Sequence, residues 1–373
     1  MLNIIIICTA SMLTYVSKEM VNPILPIYLT VNLKLAPALV SLIEGITKAF
    51  SSIIKFYSGF YSDKKQERKK FIIMGVFGAL LSKFMLFSSN NWVSVILSKT
   101  FERFGKAMKL SPQDAILIEN SPDNKKGLVL GLKRSFDKFG AAIGIIIAYF
   151  IIVKTVSNYK IVFFISVIPV FIATILSFFI KQEKSRRIVN INLNDFSLKI
   201  KTFFIIAFVS ALANSTETVL LLKAFHSGFS ASEVILLYFT TSITTCLIAY
   251  PVGRLCDKVS KYKLVALSYF IFGITYLGFG LTNNSFSIII LFILYGIFEA
   301  LIAVSAKAFI ASNIPNDMKA TALGVNECLV GLASLPASII AGGLWHFYGP
   351  TAPFYFSALL AFISSYLVIK LLK

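Results

Sequence analysis

The sequence predicts an all-α polytopic membrane protein, with twelve transmembrane helices in two parallel-repeat six-helix bundles. Three observations predict it. First, 57% of the 373 residues are hydrophobic and 14% are charged, with a mean hydropathy of +0.81. Soluble domains average about 45–50% apolar and about 25% charged. Second, apolar stretches of the length that crosses a bilayer, about 20 residues, follow one another along the chain. Third, the sequence repeats. "GFYSDK" at 59–64 returns as "GRLCDK" at 253–258, offset by 194. Asn120, Pro122, Lys126 and Gly131 return as Asn313, Pro315, Lys319 and Gly324, offset by 193. Two similar halves joined in the same sense produce such offsets. Helices are the expected form because hydrocarbon offers no water to unpaired backbone groups. A barrel needs alternating strands of roughly 10 residues, and these runs are longer and continuous.

The expected helices span 4–30, 37–61, 71–89, 92–118, 127–153 and 159–180, then 202–224, 231–255, 263–281, 284–310, 319–344 and 350–371. Helix 1 lacks a basic leader and continues past Pro23 and Pro26, so it reads as a first span and not as a signal peptide. Helix 2 stops where "GFYSDKKQERKK" places a charge cluster between Asp63 and Lys70. Helices 3 to 6 follow with short connections, and "KQEKSRRIVNINLNDFSLKIK" at 181–201 is the longest polar stretch. It divides an N-terminal six-helix bundle, 1–180, from a C-terminal one, 202–373. Helices 7 to 12 repeat the spacing of the first six. Pro23, Pro26, Pro112, Pro251 and Pro336 fall within apolar runs and mark expected bends.

Lysine and arginine set the orientation. Twenty lie in the loops and tail on one side, against Lys34, Lys154 and Lys160 on the other. Both termini and the central loop are therefore expected in the cytoplasm. This asymmetry accounts for most of the +19 net charge, so a nucleic-acid surface is not implied. The cysteines, Cys8, Cys246, Cys256 and Cys328, form no paired framework and read as free thiols. The two histidines, His226 and His346, have no metal-ligand spacing and fall at outer loop edges.

The pattern G-x-x-x-D-K with a basic cluster, between helices 2 and 3 and again between helices 8 and 9, resembles the signature of the major facilitator superfamily. Further stretches are similar to a bacterial permease subgroup of it: "YVSKEMVNPILPIYL" (15–29), "RFGKAMKLSPQDAI" (103–116), "LKRSFDKFGAAIG" (132–144), "NSTETVLLLKA" (214–224) and "GLASLPASIIAGGLW" (331–345). The usual mid-loop glycine is absent, with Gln66 and Glu67 in its place. Tyr15, Ala107, Lys109 and Gln113 also depart from the subgroup's pattern.

The resemblance implies a cytoplasmic latch. Gly59 allows close helix approach, and Asp63 lies against the N-terminus of a helix of the other half, where the dipole favours an anion. Gly253 and Asp257 do the same from the second half. Lys64 and Lys258 follow the two aspartates, and Lys106 and Asp114 are candidates for the same network. The resemblance also puts helices 1, 4, 7 and 10 around a central cavity. Charges at bilayer depth are costly and tend to be functional. Glu19, Arg103, Glu217 and Glu299 are thereby candidates for substrate or proton contacts, with Glu44, Arg134 and Asp137 beside them. Glu44 with Lys48, and Arg134 with Asp137, have the spacing of intrahelical pairs.

The expected function is that of a proton-coupled secondary transporter of a small organic solute, working by alternating access in the bacterial inner membrane. It is expected to act as a monomer, without cofactor or metal. A glycine series in helix 5, Gly131, Gly140 and Gly144, resembles an antiporter motif and favours export. The excess of cations in the first half favours an anionic substrate. Uptake of an acidic metabolite or carboxylate siderophore is the alternative, and a non-transporting receptor or scaffold is the alternative class. No catalytic constellation and no P-loop are present, so an enzyme is not expected.

Overall fold

The computed structural model describes residues 2–22, 24, 25, 28, 29, 33, 37–154, 159–182, 196–213, 220, 223, 224, 227–229 and 231–373. The side chains of 37–46, 48, 49, 123, 153, 231, 232, 235 and 346 are outside that description. Glu44, Glu217, His226, His346 and the segment 183–195 of the central loop therefore lie outside the described residues or side chains.

Twelve long helices occur among the described residues. They are α1 (Leu2–Val21), α2 (Pro37–Lys65), α3 (Arg68–Phe87), α4 (Trp92–Glu119), α5 (Lys126–Lys154) and α6 (Tyr159–Phe178), then α7 (Leu198–Ala213), α8 (Ala231–Lys258), α9 (Lys261–Leu281), α10 (Ser285–Asn313), α11 (Lys319–Tyr348) and α12 (Ala352–Leu371). Short 3-10 turns, Asp123–Lys125 and Asn316–Met318, lead into α5 and α11. Nine helical segments among the described residues are long and apolar enough to cross a membrane. α4 falls short of that threshold because it carries Lys99, Glu102, Arg103, Lys106 and Lys109 within about three turns.

Local sequence fixes the helix ends. Asn91 caps α4 by accepting from the Ser94 amide (2.9 Å), and Asn284 caps α10 by accepting from the Phe286 amide (2.9 Å). α2 runs four residues past the expected end, to Lys65. Gln66 then takes a left-handed conformation, φ 52°, at the place of the missing loop glycine. Its side chain donates to the Asp63 carbonyl oxygen (2.8 Å), which supports an αL turn that glycine makes without strain. α1 is described over Leu2–Val21, and the expected continuation to 30 lies largely outside the described residues. Pro112, Pro251 and Pro336 lie inside α4, α8 and α11.

The chain divides into two compact units. Unit one is Met1–Pro122, Phe136–Ile191 and Pro315–Cys328; unit two is Asp123–Ser135, Asn192–Ile314 and Leu329–Lys373. α5 and α11 are thus each divided: the first turns of α5 pack in unit two, and the first turns of α11 pack in unit one. Within unit one, α3 packs on α4, α1 on α6, α2 on α4 and α3 on α6. Within unit two the same pairings recur six helices later: α9 on α10, α7 on α12, α8 on α10 and α9 on α12. The sequence repeat is therefore a repeat of packing.

Burial differs between the two copies. The interior of unit two is aromatic, with Tyr276 on Phe272 (ring centroids 4.2 Å) and Phe298 on Phe272 (4.6 Å). Part of unit one's interior is charged. At the positions of Tyr276 and Tyr295, 193 residues earlier, stand Lys83 and Glu102.

Candidate functional site

Three clusters of polar side chains stand out. The first is a pair of carboxylates at helix N-termini. Asp63, near the end of α2, is fully buried, and its carboxylate accepts from the Thr321 amide (2.6 Å) and hydroxyl (2.9 Å) in the first turn of α11. The first amides of a helix have no intrahelical acceptor, and the dipole favours an anion there. Asp63 also accepts from Arg68 Nε (2.9 Å) and Nη2 (2.5 Å). Arg68 is itself fully buried; it pairs with Glu119 at the end of α4 and donates to the Asn316 carbonyl oxygen (2.8 Å). All of these residues belong to unit one.

Unit two repeats the arrangement with fewer parts. Asp257 accepts from the Gly127 amide (2.7 Å) and the Leu128 amide (2.8 Å) in the first turn of α5. Among the described residues no arginine accompanies it: α9 begins with Lys261 where α3 begins with Arg68. Glycines set the helix crossings in both copies. A Cβ on Gly253 would stand 2.6 Å from the Gly127 carbonyl oxygen, and one on Gly59 would clash with the Ala320 carbonyl. Gly324 faces the Lys55 carbonyl as Gly131 faces the Ala249 carbonyl, so the two crossings are related by the repeat. Lys64 lies near the Phe60 ring and Lys258 is exposed.

The second cluster is a cationic face between α1 and α4 in unit one. Ser11, Thr14, Tyr15 and Lys18 share one side of α1, and Glu102, Lys106, Lys109 and Gln113 share one side of α4. With Lys83 of α3 they line a small cavity of about 40 Å³. Lys83 pairs with Glu102 (3.0 Å) and Lys109 donates to the Thr14 hydroxyl (2.6 Å). The Tyr15 ring faces two ammonium groups, Lys18 at 5.6 Å and Lys106 at 5.7 Å from its centroid. Lys18 also pairs with Glu19, which accepts from Asn22 (3.2 Å). Four lysines thus meet one carboxylate, Glu102, around this cavity. Arg103 is half-buried on the adjoining side of α4. Lys106 lies here, beside Tyr15, and Asp114 is buried further along α4. The described partners of Asp63 are Arg68 and Thr321.

The third cluster is in unit two. Arg134 pairs with Glu299 (3.2 Å), and Glu299 accepts from the Thr245 hydroxyl (3.0 Å). Asp137, three residues after Arg134, belongs to unit one and accepts from the Ser11 hydroxyl (2.5 Å). Each of the two side chains thus has a described partner on another helix. Lys55 pairs with Glu327 (3.2 Å) in unit one. The glycines of α5 have packing roles: Gly140 meets the Met12 carbonyl and Gly144 the Val16 carbonyl of α1, while Gly131 meets α8.

Arg68 carries no separate signal in the sequence, since it stands in a basic run of the kind that marks a cytoplasmic loop. Its position five residues after Asp63 is the only cue. Lys83 has a clearer one, as an ionisable residue in the middle of an apolar run.

A family model described as Major Facilitator Superfamily matches residues 7–201 and 202–373. The chain belongs to the major facilitator superfamily. It is a multi-pass membrane transporter and not an enzyme. The uncharacterized MFS-type transporter MJ1317 of Methanocaldococcus jannaschii is 30% identical over 377 residues, covering 98% of this chain and 94% of that protein. Among solved structures, the human organic anion transporter MFSD10 matches with a TM-score of 0.84 at 13% identity, over 98% of both chains. A single-residue variant of the Escherichia coli fucose:proton symporter FucP matches with a TM-score of 0.77 at 15% identity, over 99% of this chain and 98% of that one. At these identities the structural matches show the superfamily fold.

Proposed function

We propose that this superfamily member is a proton-coupled secondary transporter of small organic anions, working by alternating access in the plasma membrane with both termini in the cytoplasm. One observation carries the anion: the cationic face of unit one. Lys18, Arg103, Lys106 and Lys109 crowd α1 and α4. The repeat-related positions on α10, 193 residues after those of α4, are Gly296 for Arg103, Glu299 for Lys106 and Ile302 for Lys109. Unit two keeps the same packing without these cations, so the fold does not demand them. Like charges crowded in a low-dielectric site repel one another, as Lys18 and Arg103 do Lys106, and a bound carboxylate or phosphate would relieve that repulsion. Arg103 offers a planar, permanently charged fork suited to either group.

The aspartate caps suit the role of a latch. Each holds the start of a divided helix, α11 at Asp63 and α5 at Asp257. Opening requires both carboxylates to release those amides, and closing restores them. The close helix contacts at Gly131, Gly140 and Gly144 explain the α5 glycine series by packing, so the series gives no weight to export over uptake.

Thermal stabilisation of the purified protein against organic anions, cations and neutral solutes tests the anion reading. A ligand that binds only the folded state raises stability by RT ln(1 + [L]/Kd). Stabilisation by anions that is lost in Arg103→Ala is expected. Stabilisation by lipophilic cations alone would overturn it.

A further inference from the structure

A groove between α9 and α12 in unit two plays no part in the transport reading. Lys263 and Lys373 stand at one end. Along it run Ala266, Leu267 and Phe270 of α9 and Ile369 of α12. Phe270 packs on Phe362 of α12 (ring centroids 5.7 Å) and marks the far end. Lys263 and Phe270 are seven residues apart, about 10 Å along a helix. The groove has a volume of about 540 Å³, and among the described residues no acidic one lines it. Lys199 donates to a main-chain oxygen of Lys373 (3.4 Å) at the same end. That end of the helices carries the chain's excess of lysine, and Leu267, Phe270 and Ile369 are exposed.

The internal repeat supplies a comparison. On α3, at an offset of 193, Lys69, Lys70 and Ile73 take the places of Tyr262, Lys263 and Ala266. On α6, the buried positions align with those of α12 at an offset of 191, so Gln182 takes the place of Lys373. There the mouth is tied shut. Lys69 donates through Nζ to the Phe178 carbonyl oxygen (2.7 Å) and through its amide to Gln182 (2.7 Å), and Gln182 donates to the Gln66 carbonyl oxygen (2.9 Å). In unit two the small Ala266 replaces Ile73 and a second lysine replaces Gln182. The changes that open the groove are also those that make it cationic.

We propose that this groove binds one anionic phospholipid. Its phosphate lies between Lys263 and Lys373, and the upper part of an acyl chain lies along Ala266, Leu267 and Phe270. The shape is amphipathic in the sense a lipid requires: cations at the level of the headgroups and an apolar wall below them. Polar headgroup and chain are both needed to fill it, which separates it from a site for a free anion.

The test uses the full chain, delipidated in detergent, with lipid binding read by native mass spectrometry. Phosphatidylglycerol and phosphatidylcholine with identical acyl chains are compared, with glycerol 3-phosphate as the soluble headgroup. At least ten-fold preference for phosphatidylglycerol is expected. The Lys263→Gln/Lys373→Gln variant should lose about thirty-fold in that affinity, the size for two lysines near an anionic membrane surface. Either single variant should lose about five-fold, which keeps the test available if the double variant folds poorly. Lys70→Gln, at the repeat-related position, should leave binding unchanged. Equal binding of the two lipids, or an unchanged affinity in the lysine variants, would overturn the proposal. So would occupancy by glycerol 3-phosphate at the affinity of the whole lipid.

Discussion

Replacing Asp63 with asparagine is expected to destabilise the protein about twice as much as replacing Asp257. Asp63 is fully buried and accepts four hydrogen bonds, two from Arg68 and two from Thr321. Removing one partner of a buried ion pair costs about 3–5 kcal/mol. Asparagine keeps one acceptor oxygen, and Glu119 still pairs with Arg68, so a loss of about 3 kcal/mol is expected from the low end of that range. Among the described residues Asp257 accepts from the Gly127 and Leu128 amides alone. Asparagine keeps one of these, and a charge-assisted bond contributes about 1.5–3 kcal/mol, so a loss of about 1.5 kcal/mol is expected there. Thermal unfolding in detergent measures both. A domain of about 150–250 residues shifts by about 2–4 °C per kcal/mol, which gives roughly 6–12 °C for Asp63→Asn and roughly half that for Asp257→Asn. Adding Arg68→Gln completes a double-mutant cycle, and a coupling above about 1 kcal/mol is expected between Asp63 and Arg68. Equal losses at the two aspartates, or no coupling to Arg68, would refute the view that the first cap is the stronger because of its buried guanidinium.

Gln66→Gly relieves a left-handed backbone at φ 52° but removes a hydrogen bond to the Asp63 carbonyl. A melting temperature unchanged or raised by the equivalent of up to about 1 kcal/mol is expected. Lys83→Met removes the ion-pair partner of Glu102 and should cost about 3 kcal/mol, the low end for a buried pair, because other lysines remain near Glu102. Lys83→Met with Glu102→Met should recover most of that stability, as the aromatic counterparts Tyr276 and Tyr295 do in unit two. The same thermal assay checks both.

The helices and the repeat were legible because both are written in local patterns: apolar runs of bilayer length, and a motif recurring at a fixed offset. The two aspartates were legible for the same reason, as acidic residues each followed by lysines after an apolar run. Their partners were less so. Thr321 is reached through its backbone amide and its hydroxyl, and a lone threonine at a helix start is too common to signal a distant carboxylate. Arg68 is hidden among residues whose charge is explained by topology. Lys106 illustrates a further limit: one helical turn decides whether a lysine faces the cap or the interior, and sequence-based helix ends are uncertain by about that much. Arg134 and Asp137 show the converse. Their spacing suggests a local pair and gives no sign of Glu299 and Ser11, the partners that helix packing brings to them, or of the boundary between the two units that passes between them. The lipid groove depends on Ala266 and Ser365 being small where two helices cross, and only the packing shows that they face each other.

The measurement that bears most directly on transport is flux in proteoliposomes holding the purified protein, with an anion chosen from the stabilisation panel and an imposed pH gradient in each direction. The account predicts accumulation against the anion's own gradient that collapses when a protonophore dissipates the pH difference, and that falls to the level of empty liposomes in Arg103→Ala. Accumulation that ignores the protonophore, or that survives in Arg103→Ala, would contradict it.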